Sequence, residues 1–259
     1  MRTQISIQQA SLVAKCGGKS GLIELHSYFR KQNALVSDFH GKKTLVAFCL
    51  DKDADDYCRK QIVCDHIIYS EYYSIENDLV LGCDIVKCVA ATASLPRETV
   101  RAAFSNLNPI NRLHNLLKEW MIICLFVKMH RVGCDKSYSI FSTVHSKSDF
   151  VLDCNLFSIC KKNLHTRSAF TVNGFNRCWA KIVNIIETAI ATGNSENLFP
   201  GKWYFTAIKE VVTKHCSGVD FDKDSFESGL RRAMLAQLDF TAPWAEDYFN
   251  RILQLSKRL

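Results

Sequence analysis

The run Thr44-Leu45-Val46-Ala47-Phe48-Cys49-Leu50, followed at once by Asp51-Lys52-Asp53-Ala54-Asp55-Asp56, constrains this chain more than any other feature. A stretch without charge, rich in β-branched and aromatic side chains, predicts a strand buried on both faces, as in a parallel sheet. Four carboxylates then lie at the carboxyl end of that strand, the edge at which open α/β sheets bind ligands. Asp51 and Asp53 are two apart, and in extended backbone they face the same way. Neighbouring carboxylates repel unless something positive lies between them. A hard divalent cation such as Mg²⁺ or Mn²⁺ meets that need through carboxylate oxygen and retained water. A solvated acidic turn, with Asp55 or Asp56 opening the next helix, has the same residues.

The flanking segments fit an α/β arrangement. Residues 11–13 read as a short strand, residues 16–20 as a Gly-containing turn, and residues 22–31 as a helix with Leu22, Leu25 and Phe29 at helical spacing. Residues 54–61 suit a short helix and residues 66–69 a second buried strand. Strand, helix, strand in this rhythm predicts βαβ units. After Pro96 the pattern turns helical over residues 97–104, 111–130, 174–191, 203–215, 224–237 and 243–257. Residues 155–170 are ambiguous, and residues 138–144 are the one possible late strand. The expectation is an α/β part over 1–95 and a mostly helical part over 96–259, changing character at Ser94-Leu95-Pro96.

Several classes are excluded. The longest apolar run, 120–127, is too short to span a bilayer and reads as a buried core helix, because its apolar residues cover the whole circumference. The start of the chain shows no basic segment followed by an apolar one, so no secretory signal is visible. None of the 12 Cys falls in a CxxC pair, which argues against zinc and for small buried hydrophobes in a reducing cytoplasm. Gly17-Gly18-Lys19-Ser20 ends like a phosphate-binding loop, but Val13 stands where that loop needs Gly. Lys19 remains either a contact for a nucleic-acid phosphate or a solvated turn residue.

The net charge of +7 comes from 33 Lys+Arg against 26 Asp+Glu. Residues 1–95 hold 11 of each, and residues 96–259 hold 22 against 15, so the whole surplus is in the helical half. There Lys161, Lys162, Arg177 and Lys181 alternate with Phe170, Phe175 and Trp179. Phosphate contacts with aromatic stacking on unpaired bases are a common way to hold RNA. A solvated helix face gives the same pattern.

The second informative box is Tyr69-Ser70-Glu71-Tyr72-Tyr73-Ser74-Ile75-Glu76-Asn77, at the end of the next buried strand. Glu76 suits a metal ligand or a group that positions a water, with Asn77 orienting it. Equally, Ser74 suits the N-cap of a helix with Glu76 in its first turn. Taken together, LDKDADD and YYSIEN resemble the TOPRIM-like nuclease effectors of bacterial anti-phage defence, above all those of PARIS-type systems. The resemblance is strong over residues 10–80 and extends more loosely beyond.

That resemblance implies a small TOPRIM-like parallel sheet with flanking helices, followed by a mostly α-helical domain. It implies Mg²⁺ or Mn²⁺ on Asp51 and Asp53, and Glu76 in the catalytic set. The implied function is metal-dependent cleavage of RNA, tRNA in particular. The implied partner is an ABC-type ATPase that holds the nuclease inactive, and the active form is a homodimer. The family's first Glu belongs at the end of strand one, where this chain has Ala14. A deliberate Glu-to-Ala replacement, a natural inactive paralogue, and substitution of the role by Glu24 or Glu76 each account for that. The alternative function is a non-catalytic subunit that senses nucleic acid or a phage protein.

Overall fold

The computed structural model describes residues 18–39, 42–133, 141–146, 150–216, 222–239, 241 and 243–257. The predicted strand over 11–13 and Ala14 lie outside them. The first helix, α1 (Gly18–Lys31), starts where Gly18 takes a φ of +66° and ends on Arg30 and Lys31, basic residues that favour a helix C-terminus. Its Leu22, Ile23, Leu25 and Phe29 pack on Phe48, Leu50, Ile67 and Tyr69, forming a small separate core.

The apolar run 44–50 is not one strand. It divides at Val46-Ala47 into β2 (Lys42–Leu45), antiparallel to β1 (Val36–Phe39), and β3 (Phe48–Leu50), parallel to β4 (Ile67–Tyr69). The Val46 N–H donates to Leu35 O at 3.0 Å, and the Val46 carbonyl lies 2.7 Å from His66 Nδ1. Those bonds turn the chain out of one ladder and into the other. Burial on both faces holds for β4, whose three residues are all buried. It fails for β3, where Cys49 is exposed between Phe48 and Leu50. Between the parallel strands runs the short helix α2 (Asp55–Cys58). The strand–helix–strand expectation therefore holds, on a sheet of two parallel strands.

Beyond β4 the described residues are mainly helical: α3 (Ile75–Leu81), α4 (Ile85–Ala93), α5 (Arg97–Asn106), α6 (Pro109–Leu116), α7 (Lys118–His130), α8 (Cys154–Ser168), α9 (Val172–Ala191), α10 (Gly201–His215), α11 (Lys223–Gln237) and α12 (Pro243–Ser256). The helix expected over 111–130 is two helices. Asn108 caps α6 through the N–H groups of Ile110 and Asn111, with Pro109 in its first turn, and Leu117 (φ −100°, ψ 13°) bends the chain into α7. Of the ambiguous segment 155–170, residues up to Ser168 belong to helix α8, which ends at Ala169 in a left-handed cap (φ 55°). Residues 141–143 of the possible late strand form a 3₁₀ turn, and residues 138–140 lie outside the described residues. In α7, Trp120, Met121, Ile122, Ile123, Leu125 and Phe126 are all buried, as its all-round apolar sequence requires. No described helix is long and apolar enough to cross a membrane.

The larger core runs from Ala54 and Tyr73 through α4, α7, α9 and α10 to Met234, so it passes across residue 95 without interruption. Helix α11 packs chiefly on α4, and α10 packs on α3 and α6. Within this core His114 of α6 is buried, its Nε2 2.9 Å from the Tyr204 hydroxyl of α10. Burial lowers its pKa from 6.5 to about 4. The unfolded chain thus binds a proton between those values that the folded chain refuses. Stability is full above pH 6.5 and falls as the pH drops towards 4, by about 3 kcal/mol. Thermal melts from pH 7.5 to 4 follow this decline, and His114→Phe flattens it. An unchanged slope in that variant assigns the acid sensitivity to another group.

Candidate functional site: the acidic turn beyond the parallel pair

The β3–β4 ladder continues past both strands. Ser70 N–H donates to Leu50 O at 2.9 Å, Lys52 N–H to Ser70 Oγ at 2.8 Å, and Asp53 N–H to Tyr73 O at 2.7 Å. These bonds seat the acidic turn against the box 69–77. Asp53 takes a left-handed φ of 54°, which Asp tolerates better than most residues. The pleat expected to align Asp51 and Asp53 is therefore absent. The carboxylates are brought together by a turn and diverge in their contacts.

Asp51 Oδ1 accepts the Ile75 N–H at 3.0 Å, at the start of α3. Partial desolvation raises the Asp51 pKa, with repulsion from Glu76 and Asp53 adding to it, while the Ile75 N–H and Lys19 oppose it. Asp53 and Asp55 share a cation: Lys19 Nζ lies 3.3 Å from Asp53 Oδ2 and 2.5 Å from Asp55 Oδ2. The other Asp53 oxygen lies 3.9 Å from Lys128 Nζ of α7, which sits over the Tyr73 ring. Lys52 Nζ donates to Glu71 O and lies 3.9 Å from Asp56.

Glu76 stands beside Asp51 in the first turn of α3, and Arg231 of α11 holds it, Nη1 to Oε1 2.9 Å. Burial pushes the Glu76 pKa up, but the hydrogen bonds from Arg231 and Ser74 outweigh it and leave the carboxyl below its ordinary value. Ser74 is the N-cap of α3, as the capping alternative requires. Asn77 does not orient Glu76. It is fully buried, its Oδ1 accepts from Ser74 N–H and Oγ–H, and its Nδ2 donates to the carbonyls of Glu196 and Phe199. The next residue, Asp78, is 1% exposed and accepts the Tyr248 hydroxyl at 2.6 Å, tying α12 to the same box.

Among the described residues no three His, Cys, Asp or Glu side chains converge into a metal-binding group. The acidic turn nonetheless presents oxygen donors of the kind Mg²⁺ takes, and a cation already sits among them. That cation is Lys19, held by the carbonyls of Asp51 and Lys52 as well as by Asp53 and Asp55. As the chain stands, the turn holds this ammonium, and the described residues form no metal-binding group of three ligands. Glu24 is exposed on α1, about 140° round the helix from Lys19.

The basic group is on two adjacent helices, α8 with Lys161 and Lys162, and α9 with Arg177 and Lys181. Lys162, Arg177 and Lys181 are exposed, and Lys161 Nζ lies over the Trp179 ring at 4.7 Å. The aromatic half of the expectation fails. Phe175 and Trp179 are 4% and 7% exposed and stack on each other against Phe126, so they are spent on the core. Positive charge is available on this face, and stacking platforms from those two rings are not.

Lys128 and Arg231 escaped the sequence reading. Lys128 and Arg231 lie on helices whose patterns show only an amphipathic or buried face. Gly201 carried a signal, a Gly opening a helix, and its reason is close approach. A Cβ there would lie 2.5 Å from Asn77 N and 2.7 Å from Asn77 Oδ1. Comparisons of the chain with protein-family models, with curated proteins and with solved structures find no match in any of the three.

Proposed function

We propose that this chain is a divalent-metal-dependent nuclease of the TOPRIM-like type that cleaves RNA, with tRNA the expected substrate. In this reading it is an effector of anti-phage defence, restrained by an ABC-type ATPase and active as a homodimer. The observation that carries the reading is the convergence at one edge of the β3–β4 pair. Asp51, Asp53 and Asp55 follow one strand, Glu76 follows the other, and a cationic position lies among the aspartates.

A bound Mg²⁺ or Mn²⁺ would supply charge neutralisation at the phosphate and a more acidic water. Asp51 and Asp53 would supply carboxylate oxygens for it, with Asp55 beside Asp53 and Asp51 held by the Ile75 N–H. Glu76 remains ionised beside Arg231 and orders the edge facing the phosphate. Lys162, Arg177 and Lys181 attract the RNA backbone.

The test adds Ala14→Glu and assays RNA cleavage with Mg²⁺, alone and combined with Asp53→Asn. Cleavage by Ala14→Glu, at least 100-fold above the parent chain and abolished by Asp53→Asn, is the expected result; the scale is roughly that of removing one general acid–base group. Equal cleavage by the parent and Ala14→Glu overturns the placement of the catalytic Glu. One observation favours a second reading: Lys19 and Arg231 neutralise the acidic edge from within the chain. If Ala14→Glu restores no cleavage, the chain is a non-catalytic subunit that senses nucleic acid or a phage protein.

A further inference from the structure

Helix α8 packs chiefly on α7 and α9, turning Phe157, Cys160 and Leu164 into the core. Its opposite face is open and carries two aliphatic side chains one turn apart, Leu156 at 43% and Ile159 at 55% exposure. Lys162 follows one turn on and is exposed as well. Val151, 57% exposed, lies just before the helix. A solvent-facing arc ordinarily takes charged and polar residues, so aliphatic residues at its centre are out of place. The charge around them has one sign. Between Asp153 and Glu187 the chain has five Lys and Arg and no acid. Those two acids are engaged: Asp153 Oδ1 accepts the N–H groups of Asn155 and Leu156 as the cap of α8, and Glu187 lies 3.4 Å from Lys118. Lys162 therefore has no carboxylate on its own helix to pair with.

We propose that the outer face of α8 docks an acidic amphipathic helix of another protein. Leu156 and Ile159 take its apolar stripe, and Lys162 takes the carboxylates that flank the stripe. This is helix-on-helix recognition, with anchors at helical spacing and complementary charge beside them. The inference needs neither metal nor RNA cleavage, and it shares only Lys162 with the RNA face proposed above. A phosphate backbone offers nothing to the two aliphatic side chains and leaves them in water. An anionic membrane surface calls for a cluster of Lys and Arg with Trp, Phe or Leu buried beside it. This arc has Lys162 and Arg167 beside two aliphatic residues and no exposed aromatic ring. A second copy of this chain would set one cationic face against another, a repulsive pairing. An acidic helix meets both the apolar and the charged half of the face. Two anchors on one helix make a contact of the weak, transient class.

The test is fluorescence anisotropy of a labelled amphipathic peptide, titrated with the purified full chain. The peptide has about five helical turns, with Leu at i, i+3, i+4 and i+7 and Glu on the other positions. A peptide of the same composition in scrambled order keeps the charge and loses the stripe. The ordered peptide is expected to bind ~10-fold more tightly than the scrambled one, and Ile159→Gln or Leu156→Gln to remove about that factor, the loss of one buried aliphatic side chain. Lys162→Glu weakens binding about 3-fold and flattens its salt dependence, as an exposed charge at the edge of a contact does. Ile159→Gln melts with the parent, because Gln suits an exposed helix position. Absence of saturable binding, equal binding of the two peptides, or an unchanged affinity in Ile159→Gln overturns the proposal. Binding to phosphatidylserine vesicles that Ile159→Gln abolishes also overturns it, by making the face a membrane contact. A tRNA affinity that falls in Ile159→Gln overturns it by making the face part of the RNA surface. None of these readouts uses metal or cleavage, so the nuclease reading stands or falls separately.

Discussion

Asn77→Ala lowers the unfolding free energy by about 4 kcal/mol and the melting temperature by roughly 10 °C. The Asn77 amide is wholly buried and makes four hydrogen bonds: Oδ1 with Ser74 N–H and Ser74 Oγ–H, Nδ2 with Glu196 O and Phe199 O. Truncation removes all four bonds at once; the Glu196 carbonyl keeps the Tyr73 N–H at 3.0 Å, and the others lose their Asn77 partner. Each buried orphan costs about 1–3 kcal/mol, less where water enters. The loss is felt at the acidic edge, because the same amide fixes the first turn of α3, which carries Glu76 and offers the Ile75 N–H to Asp51. Chemical denaturation with circular dichroism measures it. A loss under about 1 kcal/mol means the amide is replaceable by water and does not hold the edge.

Gly201→Ala destabilises by about 3 kcal/mol, against the sign that helix propensity alone gives. Ala is the better helix former, and Gly201 is the first residue of α10. An added Cβ would stand 2.5 Å from Asn77 N, 2.7 Å from Asn77 Oδ1 and 2.7 Å from the Glu76 carbonyl carbon. Two of those atoms are backbone, so a whole helix must move. Parting α10 from α3 strains the Asn77 bonds to Glu196 and Phe199, and the two substitutions are therefore coupled. Asn77→Ala costs less in a Gly201→Ala background than alone, by at least 0.5 kcal/mol in a double-mutant cycle. A neutral or stabilising Gly201→Ala would mean the two helices pack with room to spare.

These two residues show how far the sequence reaches. Glu76 and Asn77 stood out in the box 69–77, and Gly201 opens a helix 124 positions after Asn77. Nothing in a single sequence says that they touch. Capping chemistry named Ser74 correctly, because a cap is a local property of four residues. The role of Asn77 was misread, because its partners Glu196 and Phe199 belong to another part of the chain. The basic stretch 161–181 was half right for a related reason. Helical spacing puts Lys162, Arg177 and Lys181 on exposed faces, but only packing against Phe126 shows that Phe175 and Trp179 point inward.

Strand prediction failed where two short ladders abut. The run 44–50 has uniform composition, and composition cannot show that Val46 leaves one ladder for Leu35 while Phe48 joins another beside Ile67. What the sequence by itself determined is local and periodic: the helices after residue 96, the buried α7, the β3–α2–β4 unit, and carboxylates at its edge. The reason is that helical period, caps and strand–turn signals act within about ten residues. Tertiary structure alone decided which cation neutralises each carboxylate. Lys19 lies 34 positions before Asp53, Lys128 75 after it, and Arg231 155 after Glu76. An ion pair forms wherever folding delivers opposite charges, so the chemistry of the acidic edge is set by the packing of α1, α7 and α11 around it.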